Sequence, residues 1–333
     1  MSRIFSQILS FFRVVFFDAL KIARELFKIL VPLVVVVKIA SSVGAIEFLG
    51  RILAPVMSLV GLPGELGIVW AAAILTNIYG GFATFMTIMP NHSLSVAEMT
   101  VLCSMILVCH SLPVELSLTA KVGGSARFAG VLRLVAAFVY GALLYRLYAL
   151  FSLFPEKAEV NWIKQRSESG LLDWLLNQAS NLCFTFVVLF SLLALMRVLD
   201  MLGVTRALAR LLAPMLRLIG ASRRAAAIAV FGLLAGITFG SGLILGEARK
   251  NELSKRDIGI VMAFLSLCHG VIEDTSLMLL MGSDLSGILF GRIIFSVMAM
   301  MVLSRLPFFA ANDEGAVNPV TEPEVVSGLG KAA

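Results

Sequence analysis

Charge is scarce in this chain. Asp, Glu, Lys and Arg make up 14% of its 333 residues, where a soluble domain carries about 25%. That shortage, beside 59% hydrophobic residues, excludes an ordinary soluble fold. Cysteine is rare too. Cys103, Cys109, Cys183 and Cys268 all lie in apolar runs, which argues against a disulfide framework. There are three histidines. No Gly-x-x-x-x-Gly-Lys-Ser/Thr stretch occurs, so a P-loop nucleotide site is excluded. The apolar runs do not alternate, which excludes a β-barrel. Arg13 and Asp18 interrupt the first apolar stretch and no small-residue cleavage site follows, so no cleavable signal peptide is expected. The basic residues sit at the ends of apolar runs and form no aromatic-laced patch, so no nucleic-acid partner is expected.

What is present is a mean hydropathy of +0.96 and recurring apolar runs of about 20 residues, the length of a membrane-spanning helix. The chain also repeats itself. At an offset of 159 positions, Gly44 meets Gly203, Arg51 meets Arg210, and Leu53-Ala54-Pro55 meets Leu212-Ala213-Pro214. The same register pairs Gly61 with Gly220, Gly81 with Gly240, Cys109-His110 with Cys268-His269, Gly123 with Gly282, Arg133 with Arg292 and Arg146 with Arg305. Coincidences among Leu and Ala are cheap; coincidences among Gly, Pro, Arg, Cys and His in one register are not. The sequence reads as an internal duplication.

Five segments follow. Residues 1–24 carry an amphipathic pattern expected of a helix lying at the membrane interface. Residues 25–150 are repeat 1, with a first span at 26–46, an interfacial helix at 47–61, an apolar stretch at 64–90 interrupted by Asn77, Gly80 and Gly81, and spans at 97–122 and 126–150. Residues 151–173 are a polar linker, and 174–307 are repeat 2, with a Gly-interrupted stretch at 223–248 and spans at 257–282 and 286–306. Residues 308–333 lack an apolar period and read as a disordered tail.

Charge at the ends of the interrupted stretches decides their path. Arg223 and Arg224 flank one end of 223–248, and Arg249, Lys250, Lys255 and Arg256 the other, so both ends are expected in the cytoplasm. The stretch 64–90 has no Lys or Arg at either end, so both of its ends are expected outside. Ends on one side mean a re-entrant hairpin. The expected fold is therefore an all-α polytopic membrane protein of two inverted-topology repeats, each with three membrane spans, one interfacial helix and one re-entrant helical hairpin. Most of the 27 Lys and Arg fall in segments that this topology puts inside, with five outside: Lys38, Arg51, Lys157, Lys164 and Arg166.

Chemistry concentrates in the twin stretches Cys109-His110-Ser111-Leu112-Pro113-Val114-Glu115 and Cys268-His269-Gly270-Val271-Ile272-Glu273-Asp274. Ionisable residues inside a span mark a functional site by default. Pro113 cannot donate to the carbonyl of Cys109, which predicts a helix break there, and Gly270 permits one beside His269. His269 and Glu273, four apart, would share a helix face. His110, His269, Cys109, Cys268, Glu115 and Glu273 are candidate ligands of a divalent transition metal. Those residues and Asp274 serve a proton relay or contact with an organic solute equally well. The hairpin tips add Asn77, Gly80, Gly81, Thr238, Gly240 and Ser241 as candidate solute contacts. Cys103, Cys183 and His92 read as two packing residues and an exposed loop residue.

The order of span, interfacial helix with Leu-Ala-Pro, Gly-broken hairpin, broken span and span, given twice, resembles the Gate, or nucleoside-recognition, domain family. That family includes the core repeats of concentrative nucleoside transporters, the gates of ferrous-iron transporter B, and spore maturation proteins A and B. The resemblance covers residues 25–307. It implies that hairpins and broken spans line a central solute path, with functional positions near Gly80, Gly81, His110, Glu115, Gly240, Ser241, His269 and Glu273. The tips depart from the nucleoside transporters, whose Gln, Thr and Glu residues contact ribose and base; here they offer Asn77, Thr84, Thr238 and Ser241.

The function expected is movement of a small polar solute, foremost a divalent transition-metal ion as substrate, through a midplane site. A nucleoside or other organic-solute permease and a non-transporting membrane scaffold are the alternatives. No catalytic residues and no resident cofactor are expected. The expected setting is the inner membrane of a prokaryote with both termini cytoplasmic. The expected partners are the lipid bilayer and the solute, and homo-oligomerisation is left open.

Overall fold

A computed structural model describes residues 2–88, 93–160, 170–249, 253–306 and 309. His92, the linker residues Lys164 and Arg166, and the tail apart from Phe309 lie outside the described residues. Among the described residues the chain is helical, without strands. The helices are α1 (Ser2–Ser42), α2 (Ala45–Met57), α3 (Leu66–Leu75), α4 (Ile78–Ile88), α5 (Val96–Val108), α6 (Leu112–Lys121) and α7 (Ala126–Leu150). After the linker come α8 (Leu171–Met201), α9 (Val204–Arg217), α10 (Arg223–Ala235), α11 (Ile237–Arg249), α12 (Lys255–Leu267), α13 (Glu273–Leu280) and α14 (Arg292–Leu303), the last preceded by a π-helical turn, Ser286–Gly291.

The duplication is visible in the backbone. The glycines that separate helices match in pairs: Gly44 and Gly203 at φ 73° and 72°, Gly61 and Gly220 at 71° and 81°, Gly123 and Gly282 at 87° and 82°. Only glycine enters this left-handed region without steric cost, so each pair fixes the same turn twice. Ser95 and Ser254, also a pair, cap α5 and α12 by accepting the N–H of Glu98 and of Asp257.

Four helical stretches are long and apolar enough to cross a membrane: Val96–Lys121, Ala126–Leu150, Leu171–Met201 and Ser286–Leu303. Leu9–Ser42 with Ala45–Val60, bent by 91°, makes a fifth if counted as one span. Six crossings were expected. The shortfall lies in the stretch 255–280, where residues 268–272 leave the helix and the remaining halves have 13 and 8 residues. The boundary expected at residue 24 is absent too. α1 runs unbroken for 41 residues, about 60 Å at 1.5 Å per residue, which is twice the hydrocarbon thickness. The right-angle bend into α2 suits a helix lying along the interface, and Phe48, Leu49, Ile52 and Val56 are exposed on it.

Matching helices run in opposite directions. Tyr148 near the end of α7 bonds Ser286 at the start of the last helix (2.8 Å), while Phe128 near the start of α7 packs on Phe309 beyond its end (ring centroids 5.5 Å). Lys38 late in α1 sits over the ring of Trp174 early in α8, and Phe16 packs on Phe186 and Phe190 further along it. α5 starts beside Asp284, whose N–H bonds Thr100 Oγ1, whereas α12 starts beside Gly220 and Phe309. The two helices therefore enter the middle of the bundle from opposite ends. Each stops there, at Val108 and Leu267.

Both interrupted stretches are helical hairpins. Gly81 faces Ala73, so that a Cβ would lie 2.7 Å from the Ala73 methyl; its counterpart Gly240 faces Gly232, where a Cβ would lie 2.9 Å from the opposing Cα. These glycines let the two arms of each hairpin touch.

Candidate functional site

The breaks in the two central helices make the site. α5 ends at Val108, Ser111 takes φ 54°, and α6 begins at Leu112. The break lies ahead of Pro113, not at it as expected. Pro113 occupies the first turn of α6, where a missing N–H costs nothing. A left-handed serine is held by its neighbours: its N–H donates to Ala73 O (2.8 Å) and its hydroxyl to Thr76 O (3.2 Å) at the first hairpin's end. The second break repeats the device. Gly270, the counterpart of Ser111, has φ 60°, and Val271 N–H donates to Leu233 O (3.0 Å) on the second hairpin. Unwound backbone buried among apolar helices must find partners, and here each hairpin supplies them.

Ending a helix frees carbonyls, and the site uses them. His110 Nδ1 lies 2.9 Å from Ile106 O, and His269 Nδ1 lies 2.6 Å from Leu265 O. A carbonyl only accepts, so both Nδ1 atoms carry the proton. The Nε2 atoms face inward. They lie 3.4 Å and 3.3 Å from one atom, Glu115 Oε1, and the two rings are 5.2 Å apart between centroids. The other Glu115 oxygen accepts from Arg133 Nη1, and Arg133 Nε donates to Val108 O at 2.9 Å. His110, Glu115, His269 and Arg133 are buried, the last at 0% exposure.

Asp274 completes the group. Ligand atoms of His110, His269 and Asp274 lie within 4.8 Å of one another. Asp274 stands 159 positions after Glu115 and is its counterpart in the second half. Glu273 is not on a helix face shared with His269, because the break separates them; it starts α13 and accepts from Tyr79 Oη at 3.3 Å. Cys109 and Cys268, both buried, do not join the group of ligand atoms.

The hairpin residues are less central. The tips are Thr76-Asn77 and Gly236, and Gly80, Gly81, Gly240 and Ser241 lie inside α4 and α11. Asn77 Oδ1 accepts the N–H of Gly80 (3.0 Å), so it caps α4. The side chain of Thr238 lies outside the described residues. Sequence reasoning named Arg133 and Arg292 as a matched pair within spans but gave them no role, and gave none to Tyr79. The signal for the arginines was there: two charges at one register inside apolar helices demand partners.

Two of the donor spacings are those a tetrahedral metal would set, and Glu115 stands outside the group of His110, His269 and Asp274 whose ligand atoms lie within 4.8 Å of one another. A Zn–N or Zn–O distance near 2.0–2.1 Å puts neighbouring ligand atoms about 3.3 Å apart, the spacing found here between Glu115 Oε1 and each imidazole. Imidazoles that donate Nδ1–H to a carbonyl present Nε2 as a lone pair, the arrangement typical of metal-binding histidine.

Long apolar helices around a buried polar centre are the build of a polytopic membrane protein. Residues 23–125 match the family model Gate, described as nucleoside recognition. The chain is similar to the uncharacterized membrane protein YvoD of Bacillus subtilis (strain 168), 28% identical over 284 residues, which cover 84% of this chain and 89% of that protein. No solved structure gives a significant match.

Proposed function

We propose that this protein moves a divalent transition-metal ion across the membrane, with His110, His269, Glu115 and Asp274 forming its transient binding site. One observation carries the reading: two imidazoles fixed by Nδ1–H bonds direct their Nε2 atoms at a single carboxylate oxygen, 3.3 and 3.4 Å away. Two lone pairs facing a carboxylate repel unless a cation, or protons, stand between them. The charges nearby favour a cation as well, since Glu115, Asp274 and Glu273 outnumber Arg133 and Arg292. Imidazole with carboxylate suits ions such as Zn, Fe or Ni better than Mg or Ca.

The architecture that serves this is a pair of inverted repeats, 25–150 and 174–307, each contributing three crossings, an interfacial helix and a re-entrant hairpin. The antiparallel course of α7 and α14, and of α1 and α8, supports it. An odd number of crossings per repeat turns the second copy over and brings its broken helix to the midplane from the far side. The protein would sit in the inner membrane of a prokaryote with both termini in the cytoplasm, its partners being lipid and the ion, and it would not be an enzyme.

The second reading is a nucleoside or related organic-solute permease, which the family description favours. Against it, Asn77 is already committed to capping α4. Uptake of Zn2+, Fe2+, Ni2+ and nucleosides into proteoliposomes separates the two. Metal flux that disappears in His110→Ala/His269→Ala, with the variant still monodisperse, supports the metal reading; unchanged flux in that variant sinks it.

A further inference from the structure

The two halves carry the same three residue types in one register. His110, Glu115 and Arg133 answer to His269, Asp274 and Arg292. Only one of the arginines has its carboxylate. Arg133 holds Glu115, whereas Arg292, just as buried at 0%, gives Nη2 to His269 O at 3.3 Å while its Nε and Nη1 find no partner. Asp274, the carboxylate that symmetry would give it, gathers instead with the imidazoles. Arg292 acts on Asp274 through charge alone, with no hydrogen bond between them, and a buried charge without a hydrogen-bonded counter-charge is penalised, so this arrangement asks for a second state.

The surroundings of Arg292 point the same way. Ser296, one turn along α14, is buried beside Cys268, and Ser104 is buried beside Tyr140. Their counterparts in the other half, Ala137 and Ala263, are apolar. These two positions put hydroxyls near Arg292 where the other half has methyl groups.

We infer that Asp274 exchanges between two partners, the imidazole pair when a cation is held and Arg292 when the cation leaves. Arg292 is then a positioning residue that acts on the ion through Asp274. The inference rests on the metal reading above. Its sign is fixed: Arg292 competes with the ion for one carboxylate, so it weakens binding and speeds release. Arg133 has the opposite sign, because it only fixes Glu115 where the imidazoles need it.

The test uses the full chain in nanodiscs with Co2+, whose visible absorption reports tetrahedral ligation, and the same variants in proteoliposomes for flux. Arg292→Gln should bind Co2+ about fivefold or more tighter, the lower range of ordinary site coupling, and at saturating Co2+ its flux should fall by a similar factor. Arg292→Lys, which keeps a donor of shorter reach, should recover much of the flux. In an Asp274→Asn background, Arg292→Gln should leave affinity unmoved, because the shared carboxylate is gone. Weaker Co2+ binding in Arg292→Gln, or an equal effect with and without Asp274, overturns the exchange. If Arg292→Gln does not fold, Arg292→Met carries the test, and an affinity equal to or weaker than the unmodified protein's overturns it. A protein that binds Co2+ through its histidines but ignores Arg292 refutes only the exchange; one that binds no Co2+ refutes the metal reading and the exchange together.

Discussion

Replacing Glu115 by Leu strands a guanidinium. Arg133 is 0% exposed and Glu115 is 5% exposed, and Nη1 donates to the carboxylate. Removing one partner of a buried pair costs about 3–5 kcal/mol, because the other charge is left uncompensated. Arg133→Met leaves Glu115 still in contact with the two imidazoles, so its charge cost is smaller. It also loses the Nε donor to Val108 O, and an orphaned buried carbonyl costs about 1–3 kcal/mol. The double variant Glu115→Leu/Arg133→Met removes both charges together. Its cost should fall to about that of the orphaned carbonyl, since apolar replacement of a whole buried pair is often neutral. The coupling in a double-mutant cycle is then about 3–5 kcal/mol, at or above the usual range of about 0.5–3 kcal/mol for residues in direct contact. Reversible unfolding of the purified protein in mixed micelles gives all four corners. The double variant should nonetheless lose Co2+ binding, which separates a stable fold from a working site. Additive losses, with the double variant as unstable as the sum of the singles, would refute the claim that this ion pair is the electrostatic anchor of the centre.

Other outcomes follow from single contacts. Gly61→Ala should lower stability by about 1–3 kcal/mol, since its Cβ would meet the Tyr145 ring at 2.2 Å and φ is 71°; Gly246→Ala, with open space around it, should be neutral or stabilising by up to about 1 kcal/mol in a helix interior, both read by thermal melting. Tyr140→Phe should remove the 2.6 Å bond to Gly287 O and, at about 1–2 kcal/mol, raise hydrogen exchange in the π-helical turn. Asp18→Asn should change stability by less than about 1 kcal/mol, because the Asp18–Arg197 pair is nearly half exposed. Metal loading should fall with acidification and return on neutralisation, because protons compete for the same Nε2 lone pairs; binding titrations of Co2+ across pH check this.

The fold was legible where its cause is local. Paired glycines at φ near 72° can be read as paired turns because no other residue accepts that backbone cheaply. The close approach of the hairpin arms followed from their glycines. Helix ends were less legible. Nothing in residues 1–42 signals where an interfacial helix would give way to a span, and Pro32 inside α1 does not end it. The break at Cys109–Ser111 was misplaced onto Pro113 because proline is the visible helix breaker, whereas the actual signal, a serine willing to turn left-handed, depends on the Ala73 and Thr76 carbonyls of another hairpin. A contact across 35 positions leaves no local trace.

The site divides along the same line. Both histidines could be chosen from the repeat alone, and they do meet. Which acid each would face could not, because the offset pairs Glu115 with Asp274 while space gives Glu115 to both imidazoles. Duplication makes two half-sites alike in sequence, but one Glu115 oxygen already faces both imidazoles. The halves must therefore differ in partner at any instant: Arg133 engaged, Arg292 not. A site meant only to hold an ion would gain nothing from leaving one buried guanidinium without its carboxylate.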